Sequence, residues 1–325
     1  MKKILRLLIV TVLAIGLLTG CGKKNESQPT DSKGTQEASK GVIGVSVLTM
    51  TNPFFKTIAE SMEDEAAKYG YEVAVTSAEM DPAQQRLQVE DFITQKVSAI
   101  VLTPVDSRAV GTAIKSANTA GIPVLTADIA CMAENARVVS HIATNNYKGG
   151  RLAAQAMMEA LNDSGQVAII HHPEVESTIR RVRGFKDELK ESGSDIKIVG
   201  IWPGQGARDE SYKAAMDILT RYSDLDGIFA INDPSALGAC AALEKKNRSE
   251  EVIVVGFDGQ PEGKRAIREG RIYADPVQFP EEIGRKTVEA IMDYFAGHDI
   301  PSRILIPPEL YYQEDAMNDT DLQES

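Results

Sequence analysis

The chain has 325 residues, 43% of them hydrophobic and 6% aromatic, which suits one large α/β unit or two ordinary domains with material for a packed core. A formal net charge of −12 excludes the basic footprint that nucleic-acid binding requires.

The first stretch reads as an export signal. Lys2, Lys3 and Arg6 form a basic start, Leu7 to Leu18 an uncharged apolar run, and Leu18-Thr19-Gly20-Cys21 has the pattern of a bacterial lipobox. The apolar run is shorter than the ~20 residues a membrane span needs. Residues 1–21 are therefore expected to be a lipoprotein signal peptide. Acyl chains on Cys21 would then hold the chain on the outer side of the cell membrane. Residues 22–40 carry no large apolar side chain and read as a polar tether. Two further cysteines, Cys131 and Cys240, define no disulfide framework in a chain of this size.

From Gly41 onward, short β-branched apolar runs alternate with amphipathic segments. The runs are Val42–Leu48, Glu72–Thr76, Ala99–Leu102, Pro123–Thr126, Val167–Ile170, Ile196–Ile201, Gly227–Ile231 and Val252–Phe257. Helical stretches such as Pro53–Tyr69, Pro82–Lys96 and Tyr147–Leu161 lie between them. Strands apolar on both faces and separated by helices predict an α/β fold of doubly wound parallel sheets. The series restarts after Thr144 with no low-complexity linker, which predicts two lobes joined by short crossing strands, with a cleft between them.

In such sheets ligands sit beyond the carboxyl ends of the strands. The residues there are Asn52, Phe54 and Phe55 after the first run, then Asp106, Asp128, Asn232, Asp233 and Asp258. Aspartate is also a favoured helix cap. Asp106 precedes a helical segment directly, and Asp233 precedes Pro234, so both are read as caps. That reading leaves Asn232 free to face the cleft. No helix follows Asp128 clearly, so capping explains it poorly. Phe54 and Phe55 suit either the core or an apolar platform for the C–H face of a sugar ring. His171-His172 make a poor metal signal. No nucleophile elbow, Walker loop or H-E-x-x-H motif occurs, and no cofactor or enzymatic activity is expected.

The segments TNPFF (51–55), TPVDSRAVGTAIKSANTAGIPVLTAD (103–128), VVSHIATNNYKGG (138–150), RVRGF (181–185), FAIND (229–233), VVGFDG (254–259) and QFPEEIG (278–284) resemble those of one family. It is the ribose-binding branch of the sugar-binding proteins that serve ABC transporters, periplasmic binding proteins of type I. The resemblance spans roughly residues 41–313. It implies one lobe of 41–144 plus 279–307 and another of 145–278 plus 308–313. Hinges are implied near Thr144, Gln278–Phe279 and Pro307-Pro308, and an acidic tail over 314–325 is expected to be disordered.

The resemblance also implies ligand contacts from Asn52, Phe54, Phe55, Asp128, Arg181, Asn232, Asp258 and Gln278. Arg181 and Gln278 rest on it alone. Ribose binders of the family carry arginine where this chain has Ile129, and an aromatic wall where it has Gly206. These two positions are expected to set specificity, leaving another pentose, a deoxy-sugar or a cyclic polyol such as inositol beside ribose itself. Trp202 is a candidate for the missing wall, or for the core. The implied partners are a small sugar or polyol and a membrane permease, with the chain itself a monomer. A sugar receptor that reports to a membrane sensor kinase or chemoreceptor is the alternative. Sugar-responsive transcription regulators need a DNA-binding helix pair where this chain has its signal and tether.

Overall fold

The computed structural model describes residues 39–322; the expected signal peptide, Cys21 and nearly all of the tether lie outside them. Among the described residues no helix is long and apolar enough to cross a membrane. The first series of elements is β1 (Val42–Val47), α1 (Pro53–Lys68), β2 (Glu72–Ser77), α2 (Pro82–Gln95), β3 (Ala99–Leu102), α3 (Gly111–Thr119), β4 (Val124–Ala127) and β5 (His141–Thr144). The second begins with α4 (Asn146–Ala160), β6 (Ser164–His171), α5 (Glu176–Ser192), β7 (Asp195–Pro203) and α6 (Arg208–Arg221). It continues with β8 (Gly227–Ala230), α7 (Asp233–Lys246), β9 (Ile253–Val255), α8 (Pro261–Arg268) and β10 (Ala274–Val277). Then come α9 (Pro280–Phe295), β11 (Arg303–Ile306), β12 (Glu309–Tyr312) and α10 (Gln313–Asn318).

The strands form two six-stranded sheets, ordered β11-β5-β4-β3-β1-β2 and β12-β10-β9-β8-β6-β7. All pairings are parallel except β10 with β12 at one edge. β3, β4, β5 and β8 are buried at every residue, as expected of sheets covered on both faces. Each sheet has two apolar cores. The first sheet packs Phe55, Ile58 and Ile291 in one and Phe92, Ile100 and Ile114 in the other. The second packs Ile218, Ile228 and Leu243 in one and Phe185, Phe229 and Phe257 in the other. This is the two-lobe α/β architecture expected from the sequence.

The chain passes between the sheets at three places: from β5 to α4, from β10 to α9 and from β11 to β12. The Asn145 amide donates to the Ile306 carbonyl at 2.7 Å and ties two of these crossings together. Helices α1, α2, α7, α8 and α9 each place a proline in their first turn, where the missing N–H has no helical partner to lose. Their starts therefore face the strand ends with defined geometry.

Helices α4 and α5 approach too closely for side chains between them. A Cβ on Gly150 would run into the Arg181 backbone carbonyl, and one on Gly184 into the Tyr147 carbonyl. Gly150→Val should therefore force the helices apart and cost about 3 kcal/mol, read by urea denaturation. Because Arg181 sits at that contact, the same variant should also weaken ligand binding.

The acidic carboxyl end differs from expectation. Glu314 to Asn318 belong to α10, and Thr320–Leu322 form a 3-10 turn. Ala316 and Leu322 are buried against the second lobe. Lys264 Nζ bonds Asp319 at 2.9 Å, and Arg268 Nη1 donates to the Leu322 carbonyl at 2.9 Å. Two apolar anchors spaced among acids, met by cations on α8, order a segment whose composition reads as solvated.

Candidate functional site

The carboxyl ends of both sheets face one cavity of about 470 Å³, within the ~300–1,000 Å³ usual for small-molecule sites. All eight residues expected to contact ligand line it, as do Ile129 and Gly206. On one rim the lobes touch. The Ser107 amide donates to the Glu174 carbonyl at 3.1 Å, and Ser107 Oγ accepts from the Glu176 amide at 2.9 Å.

From the first lobe, the turn after β1 delivers Asn52. Its Oδ1 caps α1 by accepting from the Phe54 amide at 2.9 Å, which leaves its side-chain NH2 for the cavity. Phe54 and Phe55 stand edge to face with centroids 5.5 Å apart. They are almost fully buried and belong to the first lobe's core while also lining the cavity.

Asp128 follows β4 directly. Its backbone takes φ 60°, a left-handed conformation that costs free energy in a non-glycine residue. The turn is held by its amide on the Ile142 carbonyl at 2.8 Å. Its side chain is buried, and Oδ1 has no partner among the described residues. Burial pushes the carboxyl up to about 7, with Arg181 opposing and Asp258 and Glu176 assisting. A buried carboxyl oxygen without a partner is an exception in folded proteins and calls for an explanation.

The second lobe supplies a connected set. Arg181, on α5, is buried and donates from Nε to Asn146 Oδ1 at 2.7 Å. Its Nη1 reaches the Ile231 carbonyl at 2.6 Å and Asp258 Oδ1 at 3.0 Å. Its guanidinium lies 3.7 Å over the Phe257 ring, a favourable cation–π position. Nη2 makes no hydrogen bond within the described residues. Asp258 also accepts from Gln278 Nε2 at 2.6 Å and from Gln260 Nε2 at 3.1 Å. Burial raises its carboxyl, while Arg181 and these amides pull it down. Gln278 Oε1 is likewise buried without a partner among the described residues.

Asn232 differs in detail. It, not Asp233, caps α7, with Oδ1 accepting from the Ser235 amide at 3.0 Å, while its Nδ2 donates to the Gly206 carbonyl at 3.0 Å. It therefore lines the cavity with its Oδ1 and one of its two N–H groups already engaged. Asp233 is buried inside the first turn and accepts from the Gln260 amide at 2.6 Å. Its carboxyl is raised well above the usual range by burial and by neighbouring Asp275, and burial likewise lifts Asp275 to about 6. Asp106 does bind backbone, from Arg108 and Ala109, but in the turn before α3.

Trp202 is not a cavity wall. It packs on Tyr222 and donates to Asp217 at 3.2 Å. Cys131 and Cys240 are unpaired, and no cluster of metal ligands occurs among the described residues. Sequence reasoning missed Asn146, Phe257 and Gln260, which position Arg181 and Asp258. Their only signal was adjacency to hinge and strand end.

A family model described as "Periplasmic binding protein domain" matches residues 43–299. The ribose import binding protein RbsB of Bacillus subtilis is 32% identical over 309 residues, covering 94% of this chain and 98% of that protein. A D-apiose import binding protein of Paraburkholderia graminis is 32% identical over 80% of this chain and 83% of its own. Among solved structures, an ABC transporter solute binding protein from Bacillus halodurans with bound myo-inositol superposes with TM-score 0.79 at 28% identity. That superposition covers 89% of this chain and 99% of the other.

Proposed function

The chain belongs to the periplasmic binding protein family, on its ribose-binding-like branch, and on that premise we propose that it is the solute-binding component of an ABC-type sugar importer. The observation that carries the reading is the buried, unpaired Asp128 carboxylate facing Arg181 and Asp258 across a cavity between two sheet edges. Asp128 and Gln278 accept from ring hydroxyls, Asn52 and Arg181 donate to ring oxygens, and Phe54 and Phe55 cover an apolar ring face. Hydrogen bonds to charged groups contribute roughly 1.5–3 kcal/mol each, so three or four reach the about −8 kcal/mol of micromolar binding. The relatives that bind ribose, D-apiose and myo-inositol set the ligand class as a monosaccharide or cyclic polyol. Ile129 and Gly206, on the cavity wall, adjust the choice within that class.

Ligand that touches both lobes at once favours closure about the three crossings, because only the closed form makes all the contacts. The lobes are taken as 41–144 with 279–307 and 145–278 with 308–313. The closed form then docks on a membrane permease, as a monomer, and no bond of the ligand is made or broken. Cells deleted for the chain should lose high-affinity uptake of one of radiolabelled D-ribose, D-allose or myo-inositol and regain it on complementation. Unchanged uptake of all three would contradict the importer role for these solutes.

The anchor is a lipid on Cys21, in keeping with the lipobox pattern before it. Cys21→Ala should move most of the protein from the membrane fraction to the soluble exported fraction, read by immunoblot, because one acyl-bearing residue supplies the whole attachment. Retention of the variant in the membrane would overturn the lipid anchor.

A further inference from the structure

His172, which closes the end of β6, occupies the side of the cavity where Gly206 withholds a side chain. A Cβ built on Gly206 would lie 3.5 Å from His172 Nδ1 and 3.3 Å from Asn232 Nδ2. Gly206 itself sits at φ 63°, where side chains are disfavoured. A side chain at 206 is thus strained by the backbone conformation and would pack directly against Asn232 and His172.

The histidine is held in place. Its carbonyl accepts from Thr178 Oγ1, and the neighbouring His171 carbonyl accepts from the Gly204 amide at 2.8 Å. Only 7% of the residue is exposed. Nε2 faces Glu174 Oε2 at 3.5 Å; in the tautomer that keeps its proton on Nε2, toward that carboxylate, Nδ1 is an acceptor. Burial holds the imidazole below its ordinary value, so the ring is neutral at neutral pH. Nδ1 has no hydrogen-bond partner among the described residues, and the residue lines the cavity.

We propose that His172 is the specificity-determining wall on this side of the site, and that its Nδ1 accepts a hydrogen bond from a hydroxyl of the bound ring. This rests on the carbohydrate reading and deepens it. One N–H of the neighbouring Asn232 amide is taken by the Gly206 carbonyl, and His172 Nδ1 is the acceptor that this edge of the cavity offers. A ligand O–H there would satisfy it. A hydrocarbon edge would leave a buried nitrogen unpaired, and sites built for a hydroxyl reject analogues lacking it. The class favoured is a ring hydroxylated all round, rather than a deoxy-sugar.

The test is calorimetric titration of the detergent-solubilised full-length protein and its His172→Phe and His172→Gln variants. The probes are D-ribose, D-allose and myo-inositol, with 2-deoxy-D-ribose and 6-deoxy-D-allose as deoxygenated counterparts. His172→Phe should weaken the fully hydroxylated probes by about tenfold or more relative to the deoxygenated ones, since an acceptor becomes hydrocarbon. His172→Gln keeps a side-chain acceptor and should stay within about threefold of the wild-type ratio. The Gln variant also guards against a Phe ring that fails to fit. Wild-type and His172→Phe proteins that rank the probes identically would overturn this inference alone. A wild-type protein that binds none of the five would overturn the carbohydrate reading and this inference with it.

Discussion

Asp128→Asn should abolish measurable sugar binding while making the unliganded protein more stable at pH 8. The two effects have one cause. Between the lobes the carboxylate is buried, Oδ1 has no partner among the described residues, and burial raises the group to about 7. A ligand that donates two hydrogen bonds to it supplies what the protein withholds. Losing two charge-assisted bonds of roughly 1.5–3 kcal/mol each weakens affinity by about 100-fold or more.

The sign of the stability effect follows from the direction of the shift. A carboxyl raised in the folded state contributes stability that is fully present below its ordinary value of 3.8 and is lost as pH rises through about 7. Raised Asp233, Asp258 and Asp275 act in the same direction. Buried His141 and His171, held down to about 4, act oppositely, favouring the fold above the ordinary imidazole value and losing that contribution as pH falls through 4. The difference between wild type and Asp128→Asn isolates the one carboxyl. That difference should be near zero at pH 4 and grow to on the order of 2 kcal/mol by pH 8. Urea denaturation of the ligand-free proteins at both values checks it, and a pH-independent difference would contradict it. Ligand selects the ionised form, so wild-type affinity should also strengthen as pH rises from 5 to 8.

Arg181→Met should be the most destabilising single change in the site, by about 3–5 kcal/mol. The guanidinium holds Asn146, the Ile231 carbonyl, Asp258 and the face of Phe257 together. Removing it leaves Asp258 as an uncompensated buried charge beside Asp128 and strips one cavity donor. The double variant Arg181→Met/Asp258→Asn should recover a large part of the stability, because no buried charge is then unpaired, but none of the binding. Thermal denaturation of the three proteins decides. If the double variant is no more stable than the single, the cost lies in packing over Phe257 rather than in charge.

The alternation of apolar runs and amphipathic segments made the fold legible, because parallel strands buried on both faces need continuous apolar stretches. Strand-end position made Asn52, Asp128 and Asp258 legible in the same way. The four-residue strands β5, β10, β11 and β12 do not stand out as apolar runs: they contain His141, Asp275, Arg303 and Tyr312, and only pairing with one another and with β4 and β9 defines them. Arg181 reads locally as one of several charges on an amphipathic helix. Its role appears only when partners 35, 50 and 77 residues away in sequence converge on it. The exchange of roles between Asn232 and Asp233 has a similar origin. Either residue caps a helix in isolation, and the demand of the Gln260 amide for a buried acceptor draws Asp233 inward and leaves the cap to Asn232. His172 carried no pattern of its own, since its position matters only beside a glycine 34 residues downstream that leaves room for it.

The central claim is that a small sugar or polyol is held between the two lobes on Asp128. The most direct measurement is a thermal-shift screen of the purified full-length protein, wild type and Asp128→Ala, against pentoses, hexoses, deoxy-sugars, inositols and linear polyols. A ligand at 100 times its dissociation constant adds about 2.7 kcal/mol of stability. The account predicts such a shift for at least one carbohydrate in the wild type and its loss in Asp128→Ala. No shift from any of them, or a shift that survives the substitution undiminished, would contradict it.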